Sequence, residues 1–114
     1  MTGEGKRRRR ELLYLVVVPE IIITAEEQRI RDYLYSRDDW AFDVADWWVR
    51  VGTDYSGEHT ATVEVTYLPP APDFDARDRL RVQLLNRIPS LMEERPDYVH
   101  TRFYEYKGDP ADLA

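Results

Sequence analysis

The sequence predicts an α+β fold of the ferredoxin-like βαββαβ type, an antiparallel four-stranded sheet with two helices on one face. Residues 40–67 alternate between apolar and polar side chains as the two strands of a hairpin do, and segments with helical spacing lie on both sides of that hairpin. An apolar run, Leu12–Val18, and an aromatic run, Tyr98–Tyr106, flank these segments in turn. This order of elements is that of the split βαβ motif, which hosts many unrelated functions.

The first strand and the first helix have separate signals. Leu12–Val18 is rich in β-branched residues, as a central strand covered on both faces is, and Pro19 ends it. Thr24 and Glu27 have the spacing of a capping box, which predicts a helix over residues 25–36. Its buried stripe is expected to contain three residues: Ile30, Tyr33 and Leu34.

The hairpin contains an irregularity in its first strand. The apolar positions slip by one residue near Ala45–Asp46, which predicts a β-bulge there. The glycines and polar residues of Gly52–Glu58 predict the turn, and a half-buried strand follows over His59–Leu68. The apolar face of this strand is expected to hold four residues: Ala61, Val63, Val65 and Tyr67.

The second helix is predicted from Asp75 or Ala76 to near Arg87 or Ile88, because leucines recur there at helical spacing. The proline-rich stretch 69–72 before it favours a stiff connector. Pro89 opens a further short turn, since proline is tolerated in the first turn of a helix. The last strand follows.

One domain is predicted for the chain. Its 114 residues can bury roughly two-thirds of the surface that the unfolded chain exposes. Residues 11–107 form the single α+β domain in this prediction, residues 1–10 a disordered basic arm, and residues 108–114 a frayed tail.

The composition favours an ordinary globular protein over a disordered or membrane protein. Hydrophobic residues make up 43% of the chain and charged residues 33%, and no apolar run approaches the roughly 20 residues that cross a bilayer. There is no cysteine, which excludes a disulfide framework and a thiolate site. We expect a cytoplasmic location and no cofactor.

Charge is divided unevenly along the chain. The formal net charge is −6, and five consecutive cations lie near the N-terminus, so the remainder carries −11. An acidic body repels nucleic acid and attracts basic partners. The five cations are candidate anion contacts: Lys6, Arg7, Arg8, Arg9 and Arg10.

The last strand carries the constellation of greatest interest. With period-two alternation, Val99 and Phe103 suit the face covered by helices, and the other face shows aromatic and cationic side chains. The predicted bulge would direct Trp48 and Arg50 to this second face of the sheet as well. The predicted interface or ligand residues are Trp48, Arg50, Tyr98, His100, Arg102, Tyr104 and Tyr106.

These residue types favour a protein-interaction module over an enzyme. Tyrosine, tryptophan and arginine dominate protein interfaces, so we expect the face to bind a second copy or a basic protein partner. Antitoxins, immunity proteins and phage or defence accessory proteins fit this description, and the likeness is one of general protein type alone. The bases of a nucleic acid stack on similar surfaces, but the acidic body opposes that reading, and we expect weak binding through the arm only.

A competing hypothesis is a dimeric α+β barrel enzyme or sensor. In that reading the sheet closes over a small aromatic or apolar ligand. Four residues would line its pocket: Trp47, Trp48, His100 and Tyr104.

Catalytic and metal motifs are not evident in the residues. His59 and His100 lack the spacing of metal ligands, and Asp43 with Asp46 lacks the glycine and spacing of a calcium loop. No phosphate loop and no nucleophile with a neighbouring base is apparent. The sequence therefore assigns no catalytic residue and no metal ligand.

Overall fold

The computed structural model describes residues 23–113. The predicted first strand, Leu12–Val18, and the basic arm lie outside this range. The described elements are α1 (Ala25–Tyr35), β1 (Val44–Thr53), β2 (His59–Tyr67), α2 (Phe74–Arg87), β3 (Tyr98–Glu105) and two short 3-10 helices, Ile88–Leu91 and Pro110–Leu113.

The three strands form one mixed sheet in the order β1-β2-β3. β1 and β2 pair antiparallel as the predicted hairpin, and β3 pairs directly with β2 in the parallel direction. The prediction of a ferredoxin-like, four-stranded antiparallel sheet is therefore wrong, although the α+β class is correct. In the split motif another strand separates these two, whereas here α2 is the crossover that joins neighbouring parallel strands.

Local signals set the ends of the helices close to their predicted positions. The capping box of α1 is confirmed, since Thr24 Oγ1 accepts from Glu27 N–H at 3.1 Å and Glu27 Oε1 accepts from Thr24 N–H at 3.0 Å. α2 begins slightly earlier than predicted because Asp73 caps it through a 2.8 Å bond from Ala76 N–H. It ends at Arg87, as predicted.

The core lies between the sheet and the two helices. The predicted apolar face of β2 is confirmed, with Ala61, Val63 and Val65 fully buried and Tyr67 8% exposed. The predicted bulge is also confirmed, as the β1 pairing shifts between Val44 and Asp46. The bulge brings Trp47 and Val49 of β1 onto the face that the helices cover. The remaining buried members of the core cluster are Ile30, Leu34, Trp47, Val49, Leu80, Leu84, Ile88 and Met92.

Side chains of α1 bond the backbone along the outer edge of β1. Trp47 N–H donates to the Tyr35 hydroxyl at 3.1 Å, and Arg31 Nε donates to Trp47 O at 3.2 Å. Farther along the strand, Val51 N–H donates to Glu27 Oε2 at 2.7 Å. Glu27, Arg31 and Tyr35 are four residues apart and so share one flank of the helix. These bonds protect an edge that would otherwise be open to strand pairing.

Candidate functional site

The side of the sheet away from the helices carries most of the predicted site residues, and we call it the open face. Strand pairing aligns Trp48 with Glu64, and Glu64 with Arg102, in one row across the sheet. The open face, taken by alternation along the three strands, consists of Asp46, Trp48, Arg50, Thr60, Thr62, Glu64, Thr66, Tyr98, His100, Arg102 and Tyr104.

The aromatic side chains of β3 are only partly covered. Tyr98 is 50% exposed and Tyr104 is 47% exposed. Tyr98 stacks on His100, with ring centroids 5.7 Å apart and planes inclined by 24°. Because both rings stand on one strand and need no rearrangement to meet a partner, the entropy lost on binding is small.

Charges on the open face are balanced. Arg102 Nη1 lies 3.9 Å from Glu64 Oε2, and the arginine side chain is 62% exposed while the glutamate is 21% exposed. Asp46 and Arg50 add one charge of each sign on β1. Consequently the face has two acidic and two arginine side chains and no field of a single sign, unlike the chain as a whole.

Trp48 is held in place by a residue of α1. The Arg31 guanidinium lies 4.9 Å from the Trp48 ring centroid, and the same side chain bonds Trp47 O and lies 3.9 Å from Asp46 Oδ1. Tyr35 also donates to Asp46 Oδ1. α1 therefore fixes the β1 border of the open face although the helix packs on the opposite side of the sheet.

The structure brings together Trp48, Arg50, Tyr98, His100, Arg102 and Tyr104 of the predicted set. Tyr106 follows the end of β3, where its N–H donates to Tyr67 O at 2.8 Å and its ring lies beside Gly108. The five cations of the arm lie outside the described residues.

Sequence reasoning missed two contributors to the site. They are Arg31 of α1 and Glu64 of β2, neither of which is among the predicted interface residues. The signal for Arg31 is its four-residue spacing from Glu27 and Tyr35, which places three bonding side chains on one helix flank.

Of the four residues proposed for a small-ligand pocket, Trp47 lies on the opposite side of the sheet from Trp48, His100 and Tyr104. Trp47 is 2% exposed and belongs to the core, whereas Trp48, its neighbour in sequence, lies on the opposite face. A cleft of about 420 Å³ lies between residues 41–43 and the start of α2. Its lining includes Asp43, Asp73 and Arg79 and no residue of the open face.

Two carboxylates with a lowered pKa lie in loops away from the open face. The Arg37 guanidinium bonds Asp39 and lowers the pKa of that carboxyl. Hydrogen bonds from Ser56 and from the turn backbone lower the pKa of Asp54. The Asp54 carboxylate accepts from Ser56 N–H at 2.9 Å and from Glu58 N–H at 3.0 Å, so its charge stabilises the β1–β2 turn.

Comparisons with protein-family models, with curated proteins and with solved structures returned no match. Within residues 23–113, histidine, aspartate and glutamate side chains form no group of three placed to hold a metal ion. None of the helices in that range combines the length and the apolar character needed to cross a bilayer. The geometry of the open face is therefore the basis on which a function can be inferred.

Proposed function

We propose that this chain is a protein-interaction module that associates with a second copy of itself through the open face. The observation that carries the proposal is the pairing register, which gathers Trp48, Arg50, Tyr98, Arg102 and Tyr104 on a surface that none of the helices within residues 23–113 covers. Tryptophan, tyrosine and arginine are the residues that contribute most to binding energy at protein interfaces.

The residue types of the central strand support protein over nucleic acid as the partner. β2 contributes only Thr60, Thr62, Glu64 and Thr66 to the open face, so a base would find no aromatic ring at its centre. The chain apart from its N-terminal cations carries −11, which opposes a polyanion. A threonine-rich centre flanked by aromatic side chains suits contact with another sheet.

The balance of charge supports self-association. A two-fold contact brings the same patch of each copy together, so a face with two acids and two arginines can pair opposite charges with its own copy. The contact is small. Three strands about 4.8 Å apart and eight residues long, at about 3.3 Å per residue, give a flat area of roughly 380 Å². This is below the roughly 800 Å² per partner of a standard interface, so the contact alone is weak and dynamic.

Sedimentation equilibrium of the full chain up to high micromolar concentration tests the proposal. Tyr104→Asp should abolish association through the open face, because a carboxylate would be desolvated at an apolar contact. Tyr55→Asp is the matched control, since Tyr55 lies in the β1–β2 turn, fully exposed and away from the open face. A wild-type monomer at high micromolar concentration, or equal association of the Tyr104 and wild-type chains, would overturn the proposal.

The acidity of the chain favours a second candidate, a basic protein as the occupant of the same face. The dependence of association on salt concentration distinguishes the two candidate partners. Added salt screens the repulsion between two acidic copies and strengthens self-association, whereas it weakens attraction to a basic partner. Association of the purified chain that strengthens with salt supports the first candidate.

A further inference from the structure

The two edges of the sheet differ in how their backbone groups are bonded. Tyr106 N–H donates to Tyr67 O, so the backbone of Tyr106 faces β2. Along a strand, every second residue directs its N–H and C=O to the same neighbouring strand, so the even-numbered residues of β3 face β2. The backbone groups of Val99, Thr101 and Phe103 therefore face away from β2. Among the described residues none bonds them, in contrast to the edge of β1, which α1 protects.

Beside this edge of β3, one flank of α2 carries exposed apolar side chains near its two ends. Phe74 is 74% exposed and Leu85 is 53% exposed, and Asp78 and Arg81 lie between them along the helix. The four positions are spaced by four, three and four residues, as along the seam of a coiled coil. Arg81 contacts the Phe103 ring of β3 at 5.2 Å, so the flank lies on the β3 side of the helix.

We propose that a second copy of the chain pairs with this edge, β3 against β3 in the antiparallel direction, with the two α2 flanks side by side. The two-fold axis passes through Thr101. In this register Thr101 of each copy exchanges both backbone hydrogen bonds with the other, and Val99 of one copy lies opposite Phe103 of the other. On the open face, Tyr98 lies opposite Tyr104, which is a favourable cross-strand aromatic pair.

Neighbouring registers are less favourable. A shift of the axis to residue 102 places Arg102 directly opposite Arg102, and like charges in that position are destabilising. A shift to residue 100 places His100 opposite His100 and leaves the end of β3 without a partner strand. The axis at Thr101 pairs residues 98–104 in full, which spans almost all of β3.

The helices are complementary under the same axis. Strands of a sheet lie about 4.8 Å apart and packed helices about 8–10 Å apart, so two helices placed over their own β2–β3 pairs come within packing distance. Antiparallel α2 helices then bring Phe74 of one copy to Leu85 of the other, and Asp78 to Arg81. Both pairs occur twice, which makes the contact self-complementary.

This edge contact does not rest on the proposed function of the open face. It joins two sheets of three strands into one of six and doubles the open face to roughly 760 Å² of flat area, close to that of a standard interface. If the open faces also associate, the assembly contains four chains. Sedimentation therefore separates edge pairs from complete assemblies by mass, in multiples of 13.5 kDa.

Disulfide formation tests the edge register directly, because the chain has no cysteine of its own. Residues directly opposite each other in a hydrogen-bonded antiparallel pair have Cα atoms about 5.5 Å apart, within the range that a disulfide spans. Thr101→Cys should form a covalent dimer on mild oxidation. Thr53→Cys is the matched control on β1, the other edge strand, and should stay monomeric. Equal cross-linking of the two variants would overturn the proposal.

Exchanging the charges of Asp78 and Arg81 on α2 distinguishes edge pairing from association of open faces, since both side chains lie on the helical side of the sheet. Asp78→Arg and Arg81→Asp should each weaken the edge dimer by about tenfold, as two surface pairs of about 0.7 kcal/mol are lost. The double variant Asp78→Arg/Arg81→Asp should restore it. Unchanged association of the single variants would refute the helix contact, and Tyr55→Asp serves as the folding control. A Thr101 cross-link that is retained in the Tyr104→Asp background, where association of the open faces is lost, supports the edge pair.

Discussion

Removal of the Arg31 side chain should destabilise the fold by loosening β1 from α1. Arg31 is 19% exposed, and the contacts of its guanidinium include a bond to Trp47 O at 3.2 Å, stacking on Trp48 at 4.9 Å and an ion pair with Asp46 at 3.9 Å. Arg31→Ala removes these three contacts and leaves Trp47 O without its side-chain donor, while Tyr35 and Glu27 still bond the edge of β1.

The expected loss follows from these contacts. A hydrogen bond from a charged donor contributes about 1.5 kcal/mol. A cation–π contact at a partly exposed site contributes about 0.5–1 kcal/mol, and the ion pair near the surface contributes little. The sum is about 2 kcal/mol for Arg31→Ala, and Arg31→Lys should lose about half of it because an ammonium cannot serve all three partners.

Urea unfolding followed by tryptophan fluorescence measures this loss. Arg29→Ala is the control on the same helix, since Arg29 is 45% exposed and its bond to Leu91 O and ion pair with Glu93 lie away from the sheet. It should lose less than about 1 kcal/mol. Equal losses for Arg29→Ala and Arg31→Ala would refute the role given to α1 at this edge.

Two further predictions concern the core and the turn. Leu84→Ala, at a fully buried position between α2 and the sheet, should cost about 2–5 kcal/mol in urea unfolding, and a loss below 1 kcal/mol would contradict the assigned core. Asp54→Ala should lower the urea midpoint at neutral pH. Because the folded pKa of Asp54 lies below its ordinary value of 3.8, this contribution is complete above that pH and is lost as the pH falls through the folded value. A difference from wild type that is independent of pH would contradict it.

Local features of the fold were predictable from the sequence because they depend on neighbouring residues. The capping box at Thr24 and Glu27, the bulge before Asp46 and the faces of β2 each require only spacing and side-chain chemistry. Strand order was not predictable in this way. The alternation of β3 is satisfied equally beside an antiparallel or a parallel neighbour, so it does not identify β2 as its partner.

The sequence was sufficient to predict which residues share the surface of the candidate site, but not which side chains contact one another there. Period-two alternation with the bulge was sufficient to place Trp48 and Arg50 on the face of Tyr98 and Tyr104. The contact of Arg31 with that face depends on how α1 lies along β1, which is a tertiary relation that the helical pattern does not contain. For the same reason Trp47 and Trp48 were assigned to one pocket although they lie on opposite faces.

The indole N–H signals of the three tryptophans give the most direct test of association through the open face. Trp48 lies on that face, whereas Trp47 is buried in the core and Trp40 packs against it with ring centroids 5.1 Å apart. In a dilution series of ¹⁵N–¹H correlation spectra, we expect the Trp48 signal to shift between low and high micromolar concentration while the other two stay fixed. A Trp48 signal that is independent of concentration would show that the open face does not associate.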